Sequence, residues 1–274
     1  MEIIKASGEK EPFDREKLCR SLKRAGAPNN VVDNVCGIIE KQVQPGMSTE
    51  ELSRKATRQL AEEDFLLAAK YNLRNAIMEL GPAGFLFEEY VAAVLKEYGY
   101  TTKVGQMVKG KCVSHEIDIV AERDNEHYLV EVKYHNQRGL KSDVQVAMYM
   151  YARFFDIKQV HEEYESPEMK HQAWLITNTK FTRNATRYAE CMGLKMTGWR
   201  YPGEESLENL IIKKALYPVT VLPSMNQFVR EQLAKDRLFF VRDLLAYSSE
   251  DLMKKFGLYS KSAKKLMTEA YSLV

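Results

Sequence analysis

His115-Glu116-Ile117-Asp118-Ile119-Val120-Ala121-Glu122-Arg123-Asp124-Asn125-Glu126-His127-Tyr128-Leu129-Val130-Glu131-Val132-Lys133 holds two apolar runs separated by a polar tetrapeptide. Residues 112–121 and 128–134 read as strands, and Arg123-Asp124-Asn125-Glu126 reads as the turn of an antiparallel hairpin. Strand side chains alternate with period two, so Glu131 and Lys133 share a face and Val130 and Val132 point to the other. With the turn near Asp124-Asn125, Asp118 reaches the first face from the partner strand. Two carboxylates beside one ammonium make a site for a hard cation with a charged helper. Mg²⁺ (or Mn²⁺) takes oxygen ligands and keeps several waters, so one or two carboxylates and a substrate phosphate are enough to hold it. Glu-x-Lys alone is an ordinary cross-strand salt bridge. Its weight here comes from the Val-rich strand that carries it and from the second carboxylate on the neighbouring strand.

Outward from the hairpin, a helix over 83–97 precedes it; helix 142–154, strand 172–177, helix 181–192 and a short strand at 194–198 follow. That order predicts a mixed sheet flanked by helices. Upstream, the pattern from Asp14 to Leu80 is helical. Asp14 is a candidate N-cap, Gly26, Pro28 and Asn29 end the first run, and further helices cover 30–42, 49–62 and 70–80. Ser48 or Thr49, followed by Glu50 and Glu51, reads as a helix start with acids in the first turn, where the helix dipole favours them. Gly81-Pro82 is the first boundary. Downstream, Tyr201-Pro202-Gly203 leads to a helix at 206–214, Pro218 and Pro223 mark a linker, and 226–273 is helical in pattern apart from a break at Gly257. The expectation is a multidomain α/β chain: a helical module at 1–82, a mixed α/β module at 83–217 and a small all-α module at 218–274.

A length of 274 residues admits two or three such modules. A composition of 45% hydrophobic and 28% charged residues allows packed cores and excludes the disordered and collagen-like classes. The net charge of only +2 means that any affinity for nucleic acid must come from local clusters. Cys19, Cys36, Cys112 and Cys191 lie far apart in sequence and form no CxxC pair, which argues against a zinc knuckle or a disulfide framework. They read as reduced thiols. No stretch approaches the roughly 18 apolar residues of a membrane span, and the start Met1-Glu2-Ile3-Ile4-Lys5 lacks the apolar region of a signal peptide. A cytoplasmic protein is expected.

With these residues in view, 83–217 resembles the Mrr-like members of the PD-(D/E)xK restriction-endonuclease superfamily. The resemblance rests on Gly84-Phe85-Leu86-Phe87-Glu88, Ile117-Asp118-Ile119-Val120, Val130-Glu131-Val132-Lys133 and Thr177-Asn178-Thr179-Lys180-Phe181-Thr182, followed by Ala185, Tyr188-Ala189, Gly193 and Gly198-Trp199. It implies that Asp118 and Glu131 are metal ligands, that Lys133 is the catalytic lysine and that Glu88 completes the site. Gln145 and Tyr149 match a Gln-x-x-x-Tyr feature of related nucleases near the active site and DNA. Ile117 stands where a proline precedes the aspartate in much of the superfamily, a departure this branch commonly shows. Arg183 and its neighbours begin the helix after Thr182, where backbone N–H groups and arginines can receive a phosphate.

Residues 1–82 resemble the ATP-cone, a nucleotide-sensing module. The matching residues are Ile3-Ile4-Lys5, Gly8, Glu11-Pro12-Phe13-Asp14-Arg15-Glu16-Lys17-Leu18, Ser21-Leu22, Arg24-Ala25-Gly26, Ser48-Thr49-Glu50-Glu51-Leu52 and Tyr71-Asn72-Leu73-Arg74. The resemblance implies phosphate contacts from Lys5 and Lys17 with Thr49 nearby, and ATP or dATP as effector. Lys5-Ala6-Ser7-Gly8 replaces the usual Lys-Arg-Asp-Gly. In 218–274, residues 241–266 resemble a helix-hairpin-helix module in which the Gly257 turn brings a helix N-terminus to DNA. Lys254, Lys255, Lys261, Lys264 and Lys265 form a local basic patch there, with Lys261 and Lys264 as candidate DNA contacts.

Together these readings predict a Mg²⁺-dependent DNA endonuclease regulated by ATP or dATP, acting as a homodimer or a nucleotide-dependent oligomer in genome defence or DNA repair. The competing reading is a non-catalytic, nucleotide-responsive DNA-binding protein on a nuclease scaffold. An intact Asp118, Glu131 and Lys133 favours the enzyme. Nucleotide hydrolysis is disfavoured because no Walker-type Gly-x-x-x-x-Gly-Lys-Ser/Thr loop is present.

Overall fold

The computed structural model describes residues 1–5, 7–80, 85–137, 139–164 and 169–273, without the side chains of residues 85 and 161–164. The expected boundary at Gly81-Pro82, Gly84 and the substituted Ala6 lie outside the described residues. The chain divides into two compact units, one drawn chiefly from Met1–Ile77 and Tyr217–Val274, the other from Met78–Asn136 and Leu140–Leu216.

The first unit begins with a short antiparallel hairpin, β1 (Glu2–Ile4) and β2 (Lys10–Pro12), followed by α1 (Arg15–Arg24), α2 (Asn29–Gln42), α3 (Thr49–Glu63) and α4 (Phe65–Met78). Asp14 caps α1 by accepting from Lys17 N, and Ser48 caps α3 by accepting from Glu51 N. These caps satisfy backbone donors that a helix start leaves without partners. Leu22, Val32, Val35, Cys36, Ile39, Ala56 and Leu60 are completely buried and form the core. The thiol expectation needs correction: Cys19 and Cys36 are disulfide-bonded, with their Cα atoms 5.9 Å apart. Consecutive packed helices bring them together, which a separation of 17 in sequence concealed. Cys112 and Cys191 are free and exposed.

The second unit contains α5 (Phe85–Glu97), β3 (Thr101–Lys109), β4 (Ser114–Arg123), β5 (Glu126–Lys133), β6 (Lys141–Ser142), α6 (Val144–Tyr164), β7 (Lys170–Thr177), β8 (Lys180–Phe181), α7 (Arg183–Met192), β9 (Lys195–Thr197) and α8 (Leu207–Lys213). Its main sheet runs β3-β4-β5-β7-β9, antiparallel through β5 and parallel beyond it. The expected hairpin is β4–β5, turning at Asp124, whose positive φ of 55° suits an aspartate in a tight turn. Leu129, Ala173 and Leu175 pack with Ala147, Met150 and Ile157 of α6 and with Ala185 and Ala189 of α7. α5 lies against β3, β4 and β5. Strand β3 was not expected: its alternation of exposed and half-buried residues lacks the apolar run that marks a central strand.

The C-terminal part of the first unit has α9 (Gln227–Lys235), α10 (Ser249–Phe256) and α11 (Ser260–Tyr271). Gly257 adopts a left-handed conformation (φ 66°) that ends α10 and turns the chain into α11. The stretch between Pro218 and Pro223 is not an exposed linker. Val219, Thr220, Val221 and Leu222 are buried, and the Thr220 hydroxyl donates to the Ala76 carbonyl at 2.7 Å. Its apolar side chains make it part of a core. Among the described residues no helix is long and apolar enough to cross a membrane.

Candidate active site

One step beyond the Ile119–Val130 pair of the β4–β5 ladder, Asp118 faces Glu131 across the two strands. Both project to the side that also carries Leu129, as the period-two reading requires. The Asp118 carboxylate accepts the Val132 N–H at 2.7 Å, so a side chain takes the place of a carbonyl where the ladder ends. Glu131 forms an ion pair with Arg153 of α6. Lys133 is exposed at the last residue of β5.

Burial raises the Asp118 pKa despite the Val132 N–H and Arg153. Burial, then the Asp118 charge, raises that of Glu131. Glu88, half-buried on α5, is pushed up to about 7 by burial and then by the charges of Asp118 and Glu131. Burial thus raises all three carboxyls, and Glu88 feels the charges of the other two as well. They do not form a closed cage: no three His, Cys, Asp or Glu side chains among the described residues converge to hold a metal. Asp118 is turned to a backbone amide and Glu131 to a guanidinium.

The exit of β5 is held by a buried polar network. The Thr177 hydroxyl donates to the Lys133 carbonyl at 2.7 Å, and Ser142 donates to Thr177 Oγ1 at 3.2 Å. Asn178 accepts from His135 N at 2.9 Å and donates to His135 O at 2.8 Å. Thr177, Asn178 and Thr179 are fully buried, so the Thr-Asn-Thr sequence fixes the backbone on both sides of Tyr134. Burial, then the charge of Lys133, lowers the His135 pKa and favours a neutral imidazole.

Gln145 and Tyr149 are exposed on α6, and the Arg153 guanidinium lies 5.4 Å from the Tyr149 ring centroid. Residues 145, 149 and 153 recur every four positions, so they follow one helix face that ends at Glu131. Arg153 was missed by sequence reasoning. An arginine on a helix reads as a solvated charge, and only the partner 22 residues away shows otherwise. Arg183 is the exposed first residue of α7, after the Thr182 cap that accepts from Ala185 N.

In the first unit, Lys5 and Lys17 converge on one carboxylate. Glu11 lies 3.2 Å from Lys5 Nζ and 2.8 Å from Lys17 Nζ, and Glu9 lies 3.0 Å from Lys5. Hydrogen bonds that the Lys5 ammonium donates to Glu9 and then to Glu11 raise its pKa, and Lys17 is the largest influence lowering that of Glu11. Ile4 bridges to Ser48, which sets Lys5 beside the start of α3 and Thr49. Of the five C-terminal lysines, Lys254 pairs with Glu250, Lys255 with Asp236 and Lys265 with Glu269. Lys261 and Lys264 have no ion-pair partner among the described residues and are exposed on the first turns of α11.

Comparison with known proteins gives three family matches along the chain. Residues 1–76 match the ATP cone domain, residues 83–197 the restriction endonuclease family and residues 217–274 the AF1548-like C-terminal family. An uncharacterised protein of Archaeoglobus fulgidus is 40% identical over 190 residues, covering 67% of this chain and 99% of the relative. The crystal structure of AF1548, a protein of unknown function, matches with a TM-score of 0.57 at 40% identity, covering 68% of this chain and 96% of that one.

Proposed function

The chain belongs to the AF1548-like family of proteins with a restriction-endonuclease domain, and from that membership we propose that it is a divalent-metal-dependent DNA endonuclease tuned by ATP or dATP at its ATP cone. The proposed modules span 1–82, 83–217 and 218–274. The observation that carries the reading is Asp118 facing Glu131 across β4 and β5, with Lys133 two residues further on.

The donor set fits Mg²⁺ or Mn²⁺, which prefer carboxylate oxygens and accept two protein ligands with water and phosphate filling the rest. Crowded carboxyls with raised pKa values are what such a cation would relieve. Asp118 and Glu131 would hold the ion, with Glu88 adding negative field or a water-mediated contact. When bound, it supplies Lewis acidity to the phosphodiester and lowers the pKa of a coordinated water.

This chain's residues do the rest. Val132 N–H orients Asp118, and Arg153 orients Glu131. Lys133 orients the attacking water or faces charge that develops on the phosphate, a role for a cation preorganised by the fixed backbone around it. Gln145, Tyr149 and Arg183 contact DNA beside the site, and Lys261 and Lys264 contact phosphates from the C-terminal module. Lys5, Lys17 and Thr49 bind the nucleotide phosphates. Regulation then requires that the nucleotide bind two states unequally, through a homodimer or a nucleotide-dependent oligomer. A cytoplasmic role in genome defence or DNA repair fits this chemistry.

The test is cleavage of plasmid and linear DNA with Mg²⁺ or Mn²⁺ by the wild type, Asp118→Ala and Lys133→Ala. Activity confined to the wild type supports the reading. Equal activity in the variants, or none on any DNA form, overturns it.

A further inference from the structure

The outward face of α11 is positive and bare of acids. Lys261, Lys264, Lys265, Thr268 and Tyr271 recur at spacings of three and four, so they stand on one side of the helix, and all are exposed. Glu269, the one acid in α11, is turned away from them. It is buried, and its carboxylate accepts from the Ser224 N–H at 3.0 Å and from the Ser224 hydroxyl at 2.6 Å. Lys265 reaches it only at 4.0 Å. Lys261 and Lys264 have no ion-pair partner among the described residues.

Aromatic rings frame this stripe. Tyr259, immediately before α11, is 86% exposed, and Tyr271 at its far end is 65% exposed. Phe228 of α9 is exposed as well and lies across the Gly257 turn, its Cζ 3.9 Å from where a Cβ on Gly257 would stand. The backbone of Tyr259 is held by the helix it starts, since its carbonyl accepts from Ala263 N at 2.9 Å. Its side chain makes no hydrogen bond and no ring contact among the described residues. A fixed backbone thus presents a free ring beside two cations without counter-charges.

We propose that this face binds a DNA strand with unpaired bases, with Lys261 and Lys264 on its phosphates and the Tyr259 ring stacked on a base. The inference rests on the phosphate contacts proposed above and adds the form of the DNA. Lysines serve any phosphate backbone, paired or not. The ring discriminates. In a duplex the base faces cover one another and only the edges reach the grooves, whereas an unpaired base offers its face to an aromatic side chain. An acidic protein segment would engage the lysines but leave Tyr259 without a planar partner.

The test is fluorescence anisotropy of the full chain, in EDTA so that no strand is cut, with labelled oligo(dT), an abasic strand and a duplex of equal length. Tyr259→Ala should weaken oligo(dT) binding by roughly 5-fold or more, the contribution of one stacked base, and leave the abasic strand and the duplex within about twofold. Tyr259→Phe, which keeps a ring, should bind oligo(dT) as the wild type does. Lys261→Gln/Lys264→Gln should weaken all three probes and lower the salt slope by about one to two. Unaltered melting temperatures show the variants folded. Equal effects of Tyr259→Ala on the three probes, no effect on oligo(dT), or a Tyr259→Phe variant as weak as Tyr259→Ala overturns the strand assignment and leaves the phosphate contacts standing. Indifference of every probe to the lysine pair overturns the phosphate contacts and the strand assignment with them. Cleavage dependent on Asp118, read separately with Mg²⁺, tells either result from a failure of the nuclease reading.

Discussion

The carboxylate cluster of the restriction-endonuclease-like unit and the lysine cluster of the ATP cone are charged sites solved in opposite ways. Around Asp118, Glu131 and Glu88, three acids share the Arg153 guanidinium and the Lys133 ammonium, and burial raises every carboxyl pKa, with the Asp118 charge adding to the rise at Glu131 and the charges of both adding to it at Glu88. Around Lys5 and Lys17 the charges are matched internally, because Glu11 bridges both ammoniums. An unbalanced, partly buried cluster costs folding stability, and groups perturbed in this way concentrate at functional sites. A balanced, exposed cluster costs little. It obliges an incoming phosphate to displace its own carboxylate first.

The largest expected effect lies in the unbalanced cluster. Lys133→Ala should lower single-turnover DNA cleavage by about 10²–10³-fold, since one preorganised charged group is lost. A smaller change would move Lys133 out of the chemistry. Arg153→Gln comes next. Freed from its guanidinium, Glu131 should hold Mn²⁺ roughly 10–100-fold more weakly, with Arg153→Lys recovering part of the loss. Tighter Mn²⁺ binding would show that Arg153 competes with the ion. In the balanced cluster the sign reverses: Glu11→Gln should tighten ATP binding by roughly two- to fivefold, the scale of an exposed ion pair. Weaker binding would make Glu11 a ligand rather than a competitor. The smallest effect is on stability. Glu88→Gln removes one repelling charge and should raise the melting temperature in EDTA by about 2–4 °C, measured by differential scanning calorimetry. A lower value would mean that Glu88 is compensated.

The hairpin and its trio were legible because β4 and β5 are long apolar runs around a polar turn, and the period of a strand then sets which side chains share a face. β7 and α7 were legible for the same kind of reason. Edge strand β3 was not, because its exposed positions Thr101, Lys103 and Lys109 are polar and Gly105 interrupts it. The hairpin β1–β2 escaped because strands of three residues carry too little pattern. Helix α6 was expected to end at 154 but extends to Tyr164, past the residues whose apolar face packs on the sheet. Features that depend on two distant segments meeting were invisible in principle. The Cys19–Cys36 bond and the Arg153–Glu131 pair belong to this class.

The most direct test of the unbalanced cluster is a calorimetric titration of Mn²⁺ into the wild type, Asp118→Asn and Glu131→Gln. The carboxylate pair predicts one saturable site in the wild type and its loss in both folded variants. Unchanged binding in either variant, or no saturable site in the wild type, would contradict a metal centre at Asp118 and Glu131.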